Sequence, residues 1–128
     1  IRGNNMKLGT FSISLVVKNL EESQLFYEKL GFETFGGNAD HNYLILKNGD
    51  HLVGIFQGMF DDNMLTFNPG WDQNAGEVDP FTDLRDIHSD LVAKGLEPTQ
   101  VSLPEGGGIG SFVVVDPEGN PVLIDQHR

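Results

Sequence analysis

Asp125 and His127 stand two positions apart, in a run that begins Val122-Leu123-Ile124-Asp125. If that run is a strand, both side chains point to one face. A carboxylate beside an imidazole is a usable acid–base pair, because the carboxylate orients the ring and sustains its charge. Two such groups are also a start on a metal site. The four histidines, His41, His51, His88 and His127, form neither an H-x-H nor an HExxH pair, however. His88 falls mid-helix on a polar stretch and His51 beside a turn, so both are expected to be solvated. Ser12 and Ser14 lack a base and an orienting partner, which leaves a serine nucleophile unsupported. Asp125 and His127 are therefore the expected catalytic pair.

A second group of residues suits binding. Residues 58–76 carry the only tryptophan, Trp71, with Phe60, Phe67, two methionines and several amides, among them Asn74. Rings and amides together suit a small planar or amphipathic organic ligand. Plain packing over a sheet is the competing reading. The expected ligand contacts in this stretch are Phe67, Trp71 and Asn74. Ser12 and Ser14 join them from the first strand, Phe56 and Gln57 from the Leu52–Gln57 strand, and Leu123 from the last strand. In Leu52–Gln57 the ligand side is either Gly54 and Phe56 or Val53, Ile55 and Gln57. The glycine-rich loop from Pro104 to Gly110 has no P-loop spacing and no lysine, so phosphate binding is not expected there.

Composition narrows the partners. Eight Lys and Arg against nineteen Asp and Glu give a formal net charge of -11. Nucleic acid and anionic membranes both demand a basic face, so neither is an expected partner. Absence of cysteine excludes a disulfide scaffold and a thiolate metal site. No apolar run approaches the ~18–20 residues of a membrane span, and no signal peptide is visible, so the expected compartment is the cytoplasm.

The elements that position these residues come in two similar sets. Residues 16–33 read VVKNLEESQLFYEKLGFE and residues 80–97 read PFTDLRDIHSDLVAKGLE. At an offset of 64, Leu20 meets Leu84, Gly31 meets Gly95, and the N-cap residue Asn19 meets Asp83. Each set reads as strand, capped helix and glycine stop. The expected buried faces are Leu20, Leu25, Phe26 and Leu30 in one helix, with Tyr27 and Phe32 able to share the role. In the other they are Leu84, Ile87, Leu91 and Val92. Apolar pairs of strands follow each helix, separated by Lys47-Asn48-Gly49-Asp50 and by Asp116-Pro117-Glu118-Gly119-Asn120. Weak return strands are expected near Glu33-Thr34-Phe35 and near Pro98-Thr99-Gln100-Val101. Strand one alternates, with Phe11, Ile13, Leu15 and Val17 toward the helix and Ser12, Ser14 and Val16 away from it. The fold class is α+β. Residues 1–7 read as an N-terminal tail. Residues 8–127 read as one domain of two βαβββ modules, about 8–60 and 76–127, joined by the aromatic segment 58–76.

The run from Leu15 through Ser23, with Phe26-Tyr27 and Leu30-Gly31-Phe32, resembles the first module of the vicinal oxygen chelate superfamily. This group includes glyoxalase I, bleomycin- and fosfomycin-resistance proteins and extradiol dioxygenases. Asp116-Pro117-Glu118-Gly119-Asn120-Pro121 resembles its turn before the last strand. The resemblance implies two βαβββ modules in a curved mixed sheet with a ligand or metal on the concave side. In metal-dependent members His and Glu project from the strands. The matching positions here are Ser12, Val53 or Gly54, Gly76 or Glu77, and Leu123, so no metal site and no cofactor are expected. The resulting expectation is a bleomycin-resistance-like protein that binds a small organic molecule without metal. The alternative is a glyoxalase-like lyase or dioxygenase-type enzyme with displaced metal ligands. Because such modules pair within one chain or between two, monomer and homodimer both stay open.

Overall fold

The computed structural model describes residues 6–128; the expected tail lies outside it for residues 1–5. Eight strands and two helices follow the chain, which bears out the α+β expectation. Two compact units divide them. One is residues 12–65, and the other is residues 66–128 with residues 6–11. No helix among the described residues is long and apolar enough to cross a membrane.

In the first unit, β1 (Thr10–Val16) leads into α1 (Leu20–Lys29), then β2 (Glu33–Asn38), β3 (Tyr43–Asn48) and β4 (His51–Phe56). The strand order is β2-β3-β4-β1. The β3–β4 hairpin closes at Asn48 and His51, and β1 runs parallel to β4 with Ser14 opposite Gly54. Asn19 caps α1, its Oδ1 accepting from the Glu22 N–H at 2.9 Å. Gly31, at φ +93, turns the chain out of the helix in a conformation that favours glycine. Leu20, Leu44, Leu46, Val53 and Ile55 form the core, with Ile13, Leu15, Val17, Tyr27 and Phe32 packed on it. Each fully buried side chain of this size contributes about 1.5–3 kcal/mol.

The buried face of α1 differs from expectation. Leu25, Phe26 and Leu30 are 50%, 57% and 56% exposed. Leu20, as expected, and Tyr27, which was able to share the role, are seven residues apart on one helical stripe and carry the packing.

The second unit is β5 (Met64–Asn68), α2 (Leu84–Ala93), β6 (Thr99–Ser102), β7 (Gly110–Val115) and β8 (Pro121–Gln126), in the order β5-β8-β7-β6. Its core is Leu84, Ile87, Phe112 and Ile124, with Met6, Leu8, Phe67 and Leu91 among the residues packed against it. Met6 is thus part of the packing, although the sequence places it in a tail. Val92, expected inside, is 49% exposed. His88, expected in solvent, instead sets its ring edge-on to Phe112 with centroids 5.3 Å apart. The joining segment 58–76 contains β5, so the second module opens there and not near Gly76. A loop of residues 69–83 then leads to α2, pinned by a bridge between Trp71 and Glu77. The offset of 64 therefore holds for the helices and fails for the first strands.

Candidate functional site

On β8, Val122 and Ile124 pack toward α2. Strand alternation then puts Leu123, Asp125 and His127 on the other face. His127 Nε2 lies 3.0 Å from Asp125 Oδ2. An ionised carboxylate can only accept, so the ring N–H donates. The Asp125 hydrogen bond raises the His127 pKa above the ordinary 6.5; burial opposes the shift and the Asp125 charge adds to it. The Trp71 indole stacks on the imidazole, with centroids 5.3 Å apart and planes at 21°. The Nδ1 atom makes no hydrogen bond among the described residues. Three of the residues expected at a site thus meet: Trp71, Asp125 and His127. Together they present an imidazole held by a carboxylate and backed by an aromatic wall.

The neighbours that hold this group are not recognisable as site residues from the sequence. Arg128 Nη1 donates to the carbonyls of Gly70 (3.2 Å) and Val78 (3.0 Å). Its Nη2 donates to Asp79 Oδ1 at 3.1 Å. These bonds tie the segment that carries Trp71 to the end of β8. Gln126, on the α2 side, is fully buried. Its Oε1 accepts from the Leu84 N–H at 2.7 Å, and its Nε2 donates to Asp83, Gly108 and Arg128. Burial pushes the Asp83 pKa up, but bonds from the Arg85 backbone, Gln126 and the Arg85 side chain outweigh it and leave it below the ordinary value. The available signal is an amide on the face shared by Val122 and Ile124, since a buried polar group demands partners.

The first unit repeats this device. Gln57 Oε1 accepts from the Leu20 N–H at 2.8 Å, as Gln126 does from Leu84. Gln57, expected to touch ligand, is therefore engaged at the N-terminus of α1. Of the two faces proposed for Leu52–Gln57, Val53 and Ile55 belong to the helix side. Gly54 and Phe56 take the other. There Phe56 stacks parallel to Tyr43 at 5.6 Å, and Phe60 closes on it at 5.0 Å. Ser14 is buried opposite Gly54. Ser12, two residues earlier, shares that face.

Two expected contacts fall elsewhere. Phe67 packs into the second core and against Phe11, ring centroids 5.2 Å apart, because its strand turns it toward α2. Asn74 sits exposed in a turn where its N–H donates to Asp72 Oδ1 at 2.8 Å.

The donor set does not fit a divalent ion at the positions that the resemblance marks. Val53 is a core aliphatic, Leu123 carries no donor, Ser12 offers only a hydroxyl, and Glu77 lies exposed in the 69–83 loop. Among the described residues, no three His, Asp or Glu side chains are grouped to hold a metal. Carboxylate and imidazole donors are what such an ion requires.

Comparison with known proteins places the fold. No family model and no curated protein matches the chain. Among solved structures, a glyoxalase/bleomycin resistance protein/dioxygenase superfamily member from Vibrio splendidus 12B01 is similar at a TM-score of 0.61 and 15% identity. The match covers 91% of this chain and 97% of that one. Methylmalonyl-CoA epimerase from Mycobacterium tuberculosis is similar at 0.64 and 9% identity, over 99% and 93% of the two chains. The Mn(II)-bound glyoxalase from Novosphingobium aromaticivorans is similar at 0.54 and 19%, over 90% of this chain and 37% of that one. These likenesses are of fold.

Proposed function

We infer the function from the site, since the likeness to the glyoxalase/bleomycin resistance/dioxygenase superfamily, which the motifs implied, is one of fold. A fold shared by a superfamily member, an epimerase and a glyoxalase does not select an activity, so function must be argued from the site.

We propose that the protein binds a small organic molecule against the open face of β8, with no metal bridging it. The stack of Trp71 on His127, with Asp125 behind the ring, carries this reading. The indole offers a flat apolar wall. When protonated, the imidazole offers its Nδ1–H as a charged donor to a carbonyl or other acceptor oxygen. Leu123, on the same face of β8 beside Asp125, is proposed as a further contact. A thermal-shift screen of metabolites and antibiotics in EDTA tests the proposal. A hit whose shift disappears in Trp71→Ala and weakens in His127→Ala supports it, and a screen without hits counts against it.

The Asp125–His127 pair favours a second reading, in which the bound molecule is also turned over. His127 would then donate a proton to an oxygen of the substrate, with Asp125 steadying the ring. A lyase or dioxygenase using displaced metal ligands belongs to this reading. Elemental analysis of the purified protein, with loss of activity on chelation, separates it from metal-free binding.

A further inference from the structure

A second concavity lies in the loop-rich part of the second unit. It encloses about 340 Å³, near the lower end of the roughly 300–1,000 Å³ common for small-molecule sites. Trp71, Val78, Pro80 and Phe81 give it apolar walls, and Lys7 stands among its lining residues. Neither Asp125 nor His127 lines it.

Its walls are held in place. The Arg128 guanidinium lies over the Phe81 ring, 4.3 Å from the centroid, while its N–H groups grip Gly70 and Val78. A Cβ on Gly70 would come within 2.6 Å of Arg128 Cδ and 3.1 Å of Phe81 Cδ2, so glycine permits this close fit. Gln73 bonds both backbone groups of Phe11 and the Thr10 hydroxyl, fixing the opposite wall. The Val78 N–H donates to Gly70 at 2.9 Å. A cleft with bonded walls is organised before a ligand arrives, which lowers the cost of binding.

Its charges select a ligand class. Asp72 also lines the cleft, but its Oδ1 is occupied by the N–H groups of Asn74 and Gly76. The carboxylates of Asp79 and Glu77 face Arg128. Lys7 makes a backbone bond to Thr82 but no ion pair among the described residues. Lys7 is the one cation among the lining residues. We propose that this cleft binds a small aromatic carboxylate, its ring against Trp71 and Phe81 and its carboxylate at Lys7.

Phenylacetate is the probe, followed through Trp71 fluorescence and through the amide resonances of Thr10 and Val78. Saturable binding is expected, weaker at higher salt, and weaker for the neutral phenylacetamide. Lys7→Gln should weaken it by up to about fivefold, the upper end for one exposed ion pair, and Lys7→Arg should retain it. Val78→Trp, at a partly exposed wall position, should fill the cleft and abolish binding. Asp125→Asn, at a residue that neither lines the cleft nor touches Trp71, should leave phenylacetate binding unchanged while weakening the site on β8, so either proposal can fail alone. Absence of saturation, or equal binding by Val78→Trp, would overturn the inference. Equal affinity for the amide would overturn the assignment of Lys7.

Discussion

The Trp71 indole lies over the His127 imidazole, with ring centroids 5.3 Å apart and planes 21° from parallel. Trp71 comes from a long loop and His127 follows the last strand. Two segments far apart in sequence thus build one surface, and Asp125 biases the charge state of its polar half toward the protonated ring.

That charge state has a pH signature. His127 has a raised folded pKa, so its contribution to stability is full below the unfolded value of 6.5. It is lost as pH rises through the folded value. Asp125→Asn should return the His127 pKa toward 6.5, read from the ring proton shifts. The same variant should cost under about 1 kcal/mol at pH 5.5, since the pair is part-exposed, and almost nothing at pH 9. Urea unfolding at both values checks this. A cost that grows with pH would contradict the assignment.

At the acid end the sign reverses. Asp83 has a lowered folded pKa, so its contribution is present above 3.8 and fades as pH falls through the folded value. Asp83→Asn should therefore destabilise the chain at pH 6, and by less as pH falls below 3.8. Equal unfolding midpoints of the two proteins at pH 6 would refute this.

The two glutamines should differ in weight. Gln126→Leu strands the Leu84 N–H and breaks three further bonds in a fully buried place. At about 1–3 kcal/mol for each stranded buried group, a loss of about 3 kcal/mol or more is expected. Gln57→Leu breaks the bond to Leu20 in a half-buried place and should cost about 1 kcal/mol. Chemical denaturation of both variants measures the gap.

Helix α1 offers a paired comparison. Leu20→Ala should cost about 2–5 kcal/mol as a core truncation. Leu25→Gln, at a half-exposed position, should stay within about 0.5 kcal/mol. Similar costs for both would mean that Leu25 packs inside beside Leu20, as the sequence leads one to expect.

Arg128 should control Trp71 without touching ligand. Arg128→Ala releases Gly70 and Val78, so Trp71 emission should shift to the red and its anisotropy should fall. Lys at this position should restore little, because one ammonium cannot reproduce the fork across two carbonyls. Unchanged emission in Arg128→Ala would contradict the positioning role.

Much of this arrangement is legible in the residues. The paired helices, their caps, the two hairpin turns and the weak return strands all follow local rules that act within a few residues. Strand alternation alone also puts Asp125 and His127 on one face. What escapes is set by distant partners. Nothing near Gln57 or Gln126 says that each amide seats a helix N-terminus from elsewhere in the chain. Phe26 is as apolar as Tyr27, and only the position of the sheet decides which one packs. Met64-Leu65-Thr66-Phe67-Asn68 is a short strand inside a segment whose amides and glycines read as a connector. Reading it as a connector puts the start of the second module, and Phe67 with it, in the wrong place.

Metal-free recognition at Trp71 and His127 is the central claim. Its most direct test is a fluorescence titration of metal-stripped protein in EDTA with compounds selected by thermal shift. Saturable Trp71 quenching is predicted, weakened by His127→Ala and left unchanged by added Mn²⁺ or Zn²⁺. Binding that appears only after the metal is supplied would contradict it.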